Sequence, residues 1–239
     1  MNLKIIYEDE SILIIDKPSG ITVNRSDTTV GQYTVQDFVN DKYPLFLSQD
    51  LDTESDFYKR SGIVHRIDKE TSGILVVAKT KEAFENIQAQ FKERIVEKTY
   101  IALVHGLLKG ESGQISVPVG RLPWNRKRFG VLAGGREATT FYKVINRFEK
   151  RGGLTLLELN PKTGRTHQIR VHLKYFNHPI FSDFLYAGRK TSREDRKELE
   201  RVFLHAAKIS FKHPITGQKV NFESTLPKEL SDFLDKLRV

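Results

Sequence analysis

Three groups of residues in this 239-residue chain have types and spacings suited to chemistry. The first is Arg66-Ile67-Asp68, followed by Thr71-Ser72-Gly73, at the mouth of the apolar run "ILVVA". A charge beside a core is normally excluded unless it is paired. A carboxylate kept ionised out of water by a nearby cation is a reactive group. The same acid could also be a turn residue or half of a structural ion pair. The second is Tyr100, on a strand otherwise built from aliphatic side chains. The third is "TGRTHQIR", which places Arg165, His167 and Arg170 in the opening turn of a helix. Helix starts favour anions, so a phosphate or a carboxylate suits that position.

Other chemistries fit poorly. "HRID" resembles a kinase catalytic loop, but its Asp is one place late, and neither a glycine-rich loop nor Asp-Phe-Gly accompanies it. There is no phosphate-binding Walker loop. The seven histidines include no His-Glu-x-x-His, and His167 and His172, five apart, leave a common helix face. No metal site is expected.

The elements that must position these groups read as follows. "KIIYE" and "SILIID" are short strands joined by a polar turn, and "DKPSG" ends the second. "TVQDFVNDKYP" is a short helix capped by Thr34 and stopped by Pro44. Residues 48–60 read as a polar loop or insertion. "ILVVA" is apolar on both faces and therefore central. Thr80 caps an amphipathic helix with Phe84, Ile87 and Phe91 on its stripe. "KTYIALVHG" is a strand. "GRLPWNRKRFGVLAGGR" is irregular and basic. "EATTFYKVINRF" and "LTLLELN" form a hairpin across "EKRGG". A helix opens at Thr166, with Ile169, Leu173 and Phe176 buried, and closes at Asn177 and Pro179. A last hairpin covers "FLHAAKISFKHPITGQKVNFES", and "PKELSDFLDKL" is a final helix. Strands and helices mix without βαβ alternation, which predicts an α+β fold with a largely antiparallel sheet.

Net charge is +9 and unevenly spread. Residues 1–60 carry six basic and eleven acidic side chains, whereas residues 121–151 carry nine basic and two acidic. That polarity fits a polyanionic partner on one face. No stretch approaches the apolar length of a membrane helix, and the N-terminus has no signal-peptide pattern. The chain has no cysteine, which suits a reducing compartment. We expect a cytoplasmic protein with no membrane attachment.

Taken together the motifs resemble the RluA family of pseudouridine synthases. Its His-Arg-x-Asp-x-x-Thr-Ser-Gly is matched by His65 to Gly73, and its Lys-Pro-x-Gly by Lys17 to Gly20. Its Lys-x-Tyr-x-Ala is matched by Lys98 to Ala102. Its Gly-Arg-x-His-Gln-Ile-Arg-x-His-Leu, followed by His-Pro-Ile, is matched by Gly164 to Leu173 and His178 to Ile180.

The resemblance implies a single catalytic domain over 1–239. Its fold would be a mixed, mostly antiparallel sheet with flanking helices and a central RNA-binding cleft. The small S4 RNA-binding domain of many relatives is not expected. The implied reaction detaches uracil from its ribose within RNA, turns it over and rejoins it through C5. Asp68 would be the essential carboxylate, either as nucleophile at C1′ or as base at C2′. Arg170 would be its ion-pair partner, Tyr100 would stack on the uracil, and Arg66 would fill the space left by the flipped base. Lys17, Arg165 and His167 are counted with the RNA contacts. Without an S4 domain, docking would rest on the segment with Arg121, Arg126, Lys127 and Arg128, where Trp124 and Phe129 could stack on bases. The expected partner is ribosomal or transfer RNA, met by a monomer that needs no cofactor. The rival from another class is a non-catalytic RNA-binding protein or RNA chaperone on the same fold.

Overall fold

The computed structural model describes residues 2–44, 55–125 and 128–238. In chain order its elements are β1 (Lys4–Glu8), β2 (Ile12–Lys17), α1 (Val35–Lys42), α2 (Asp56–Lys59), β3 (Ser72–Ala78) and α3 (Lys81–Lys92). There follow β4 (Glu97–His105), β5 (Ser112–Ser116), β6 (Val119–Arg121), β7 (Phe129–Val131), β8 (Thr139–Phe148) and β9 (Leu154–Pro161). The chain ends with α4 (Gln168–Tyr175), α5 (Arg189–Asp195), β10 (Leu204–Lys212), β11 (Lys219–Glu223) and α6 (Lys228–Arg238). This is the α+β mixture expected. The pairs β1–β2, β2–β3, β10–β11, β4–β9, β8–β9, β5–β8 and β6–β7 are all antiparallel. Among the described residues no helix is long and apolar enough to cross a membrane.

The chain forms two compact units. One comprises Met1–Glu97 and Lys208–Thr225, the other Lys98–Ala207 and Leu226–Val239.

In the first unit β3 is buried along its whole length, as its unbroken apolar run predicts. Its register on β2 places Lys17 opposite Gly73. Thr34 caps α1 as expected: its hydroxyl accepts the Asp37 amide at 3.2 Å, and the Asp37 carboxylate accepts the Thr34 amide at 2.7 Å. Thr80 caps α3 with its hydroxyl, which accepts the Ala83 amide at 3.2 Å. The buried row of α3 differs from the apolar stripe, because Gln90 takes the place given to Phe91. Its amide donates to the Lys212 carbonyl at 2.7 Å and accepts the Lys212 amide at 2.9 Å, so its polar atoms are satisfied inside. Phe91 is half-buried against the His65 ring.

The 48–60 stretch also departs from expectation. Residues 48–54 lie outside the described residues, but 56–59 are helical rather than a polar loop. Phe57 decides this, because its buried ring meets Phe84 edge-on at 5.6 Å.

In the second unit the strands run β4-β9-β8-β5. The predicted hairpin is β8–β9, with a register shift between Val144 and Asn146. Leu230, Phe233, Leu234 and Leu237 recur at helical spacing on α6 and join a core with Leu103, Leu157, Phe181 and Phe203.

Two expectations need correcting here. The segment read as irregular contains the β6–β7 ribbon, with Gly120 opposite Gly130 and Arg121 opposite Phe129. A Cβ on Gly130 would fall 2.7 Å from the Leu122 side chain, so close packing, not apolar alternation, shapes the ribbon. The helix expected at Thr166 begins at Gln168, because His167 sits in the left-handed region at φ 56°. Ile169 and Leu173 are buried as predicted, but Phe176 is 39% exposed. Every residue from Gln168 to Leu173 is buried, so this helix has no solvent stripe over its first turns.

Candidate active site

Asp68 belongs to the first unit. The segment leading to it is seated on β3: Ile63 bridges to Val77, and His65 Nε2 accepts the Val76 amide at 3.1 Å. Ile67 is buried, Arg66 and Lys69 are exposed, and Asp68 is intermediate. The Asp68 carbonyl accepts the Thr71 amide at 3.1 Å, closing the turn into β3. The next two carbonyls are held from the Lys17–Gly20 turn. That of Lys69 accepts the Gly20 amide at 2.9 Å and the Lys17 ammonium at 3.1 Å, and that of Glu70 accepts the Ser19 hydroxyl at 2.8 Å. Gly20 makes this approach at φ 89°, a conformation that favours glycine.

Lys17 was counted among the RNA contacts, and the structure corrects this. It is 0% exposed, and its ammonium also donates to the carbonyls of Pro18 and Ile21, both at 2.9 Å. A buried ammonium needs acceptors such as these around it. Three backbone carbonyls fix Lys17 as a clamp on the Asp68 turn and take it away from solvent.

Tyr100, Arg170, Arg165, His167, Arg121 and Arg128 belong to the second unit. Tyr100 lies on β4 opposite Leu159 of β9. Lys98, two residues earlier and on the same strand face, is half-buried. Burial pushes its ammonium down to about 8, with the Lys162 charge adding to the effect.

Arg170 is 6% exposed and meets Asp183 fork to fork, Nε to Oδ2 at 2.8 Å and Nη2 to Oδ1 at 2.9 Å. The Tyr186 ring lies 5.0 Å from the same guanidinium. Gln168 anchors the loop before α4: its amide oxygen accepts the Thr163 hydroxyl and the Arg165 amide, and its nitrogen donates to the Thr139 carbonyl and the Thr140 hydroxyl. Arg165 Nε donates to the Glu137 carbonyl at 3.2 Å.

His167 reaches the opposite way. Its Nδ1 lies 2.8 Å from the Tyr186 hydroxyl, which also accepts the Phe129 amide at 3.1 Å. Tyr186 therefore ties the start of α4 to β7. Arg121 lies over the Phe129 ring at 4.9 Å and Arg128 over the Tyr186 ring at 5.8 Å. Trp124, between β6 and β7, is 75% exposed. Arg126 and Lys127 lie outside the described residues. Of the predicted set, the structure thus brings Arg170, His167 and Arg128 around one tyrosine that sequence reasoning passed over, with Arg121 on the neighbouring Phe129. That reasoning also missed Asp183. The signal for Asp183 was an acid in the apolar run "PIFSDFLY", where only a paired charge is tolerated.

A family profile described as RNA pseudouridylate synthase matches residues 11–175, a span that includes Asp68, Tyr100 and Arg170. The chain belongs to the RluA family of RNA pseudouridine synthases. Pseudouridine synthases are isomerases acting on RNA. Over 238 residues this synthase is 37% identical to "Uncharacterized RNA pseudouridine synthase YlyB" of Bacillus subtilis, covering 100% of the chain and 74% of that protein. It is 38% identical to "Ribosomal large subunit pseudouridine synthase D" of Nitrosomonas europaea, covering 99% of the chain and 65% of that protein. Among solved structures it resembles "Human RNA Pseudouridylate Synthase Domain Containing 1". The TM-score is 0.72 at 26% identity, covering 99% of this chain and 95% of the other. The expected catalytic fold is thereby confirmed.

Proposed function

We propose that this synthase isomerises uridine in RNA of the large ribosomal subunit, with Asp68 as the essential carboxylate and Tyr100 and Arg170 completing its reacting groups. The observation that carries this reading is the clamped turn. Asp68 is presented between a buried Ile67 and two carbonyls gripped by Lys17, Ser19 and Gly20. Such rigidity suits a group that must meet one atom of a large substrate. The name of the Nitrosomonas relative supports ribosomal over transfer RNA.

The reaction breaks the N1–C1′ bond and makes a C5–C1′ bond. N1 gains a proton and C5 loses one, so atoms and charge balance without oxidant or reductant. A redox-neutral rearrangement of this kind makes no demand for a cofactor. The carboxylate either attacks C1′, carrying the ribose while the base turns, or takes the C2′ proton to open a route through a glycal. Both need Asp68 ionised and water kept away from the sugar. The uridine must leave its stack, at a cost of a few kcal/mol, and stacking on an aromatic such as Tyr100 offsets part of it. Arg66, exposed beside Asp68 in sequence, is suited to occupy the space the base leaves. Arg121, Arg128, Arg165 and His167, with Arg126 and Lys127, supply the polyanion-binding side of the second unit.

The test is Asp68→Asn. The amide is nearly isosteric, so the fold and RNA affinity should persist while tritium release from C5-labelled uridine in RNA of a strain lacking the enzyme disappears. Release at the normal rate would make the carboxylate structural. Binding by both proteins with release by neither would favour the non-catalytic RNA-binding reading.

A further inference from the structure

The turn that follows α4 contains an acid that the reaction itself does not use. Asp183 is 0% exposed and accepts four hydrogen bonds. Two come from Arg170, and two come to Oδ1 from the amides of Leu185 at 3.0 Å and Tyr186 at 3.1 Å. The turn is itself secured from behind. Ser182, at φ 60°, donates its amide to Asp195 Oδ2 at 3.0 Å and its hydroxyl to the Leu199 carbonyl at 2.7 Å. Asp195 Oδ2 also meets His105 Nε2 at 2.8 Å. Asp183 therefore cannot follow Arg170 if the arginine moves. It is a fixed point, and the fork geometry passes that fixity to the plane of the guanidinium.

Two of the five N–H groups of Arg170 are spent on Asp183, and the Tyr186 ring packs on the same guanidinium. A flexible cation would have to be ordered during each turnover, whereas this one is set in place beforehand. We propose that Asp183 is the positioning residue of Arg170: it fixes the guanidinium before RNA arrives, so that the rate of the chemical step depends on it and RNA affinity does not. This rests on the reading of Arg170 as part of the reacting groups.

The experiment is a double-mutant cycle between Asp183→Asn and Arg170→Lys. The rate is tritium release from C5-labelled cellular RNA with enzyme in saturating excess, and affinity for the same RNA is measured separately. Asparagine can still accept the Leu185 and Tyr186 amides through its oxygen, which keeps the turn. Its NH2 then faces the arginine donors, which destroys the fork. Thermal melting establishes that the variant folds. Should it not, Asp183→Ser, whose hydroxyl can close the turn, takes its place in the cycle.

Asp183→Asn should slow release by about 10²-fold, the scale of a small misplacement of a reacting group, with affinity unchanged. In the Arg170→Lys background it should cost almost nothing more. Equal losses in both backgrounds, or a loss confined to melting temperature, would overturn the positioning role while leaving Arg170 in the reaction. A full rate in Arg170→Ala would instead remove Arg170 from the reaction, and Asp183 with it.

Discussion

The buried ammonium of Lys17 donates to the carbonyl of Lys69, 3.1 Å away and 52 positions later in the chain. Lys69 is the neighbour of Asp68, so a cation that never reaches solvent sets the backbone on which the Asp68 carboxylate is carried. Lys-Pro-Ser-Gly and His-Arg-Ile-Asp thus form one structural device, joined by backbone carbonyls.

Lys17→Met separates that role from RNA contact. The apolar side chain fills most of the space but leaves the Pro18, Ile21 and Lys69 carbonyls without their charged donor. Each buried group left unsatisfied costs about 1–3 kcal/mol. A marked loss of stability and of tritium release is expected. The slope of log affinity against log salt should stay as it was, whereas losing a phosphate contact would flatten it by about 0.7–0.9. A flattened slope with an unchanged melting temperature would return Lys17 to the RNA surface.

Neutralising Arg121, Arg126, Lys127 and Arg128 together should have the opposite signature. The fold should persist, because Arg121 is exposed and Arg128 only half-buried, each lying over an aromatic ring. The salt slope should flatten by about 0.7–0.9 for each phosphate contact removed. Binding measured across a salt series checks this, and an unaltered slope would move docking away from the β6–β7 ribbon.

Tyr186→Phe tests the link between that ribbon and α4. The ring over Arg170 is kept, and the hydroxyl shared by the Phe129 amide and His167 is lost. The cost to stability should be about 1 kcal/mol, the net worth of a typical hydrogen bond. RNA affinity should fall more than the rate of release at saturating enzyme. A fall confined to the rate would show that the hydroxyl serves Arg170 rather than the ribbon.

Asp9 contributes to acid stability in the first unit. Burial would raise its pKa, but the Ile12 and Ser11 amides, His213 and Tyr7 outweigh this and hold the carboxyl well below the usual range. A depressed folded-state pKa stabilises the protein above the unfolded value near 3.8 and loses that contribution as pH falls further. Asp9→Ala should therefore melt lower than the parent at neutral pH, and the gap should narrow below about pH 4. A gap independent of pH would mean that packing, not the charge, is what Asp9 supplies. Ser11, His213 and Asp9 do not form a hydrolytic triad. One nitrogen, His213 Nε2, faces both Ser11 and Asp9, while Nδ1 accepts the Ile215 and Thr216 amides.

Much of this molecule was legible in the sequence because the signals are short-range. Thr34 and Thr80 cap helices through residues three positions on, "ILVVA" is apolar on both faces, and α6 repeats its leucines at helical spacing. Asp68 could be singled out as a candidate for the same reason, since His65 to Gly73 is one contiguous pattern. What only the tertiary structure decided is what each charge meets. Nothing local to Lys17 says that three carbonyls enclose it, and nothing local to Phe129 says that its amide meets a tyrosine 57 positions away. Phe91 was read as part of the apolar stripe, but the Lys212 backbone satisfies the Gln90 amide inside and Phe91 is left half-exposed. The physical reason is common to all of them. Apolar periodicity fixes which face of an element turns inward, but a buried polar group is tolerated only where the folded chain delivers its partner, and that delivery is a property of the whole fold.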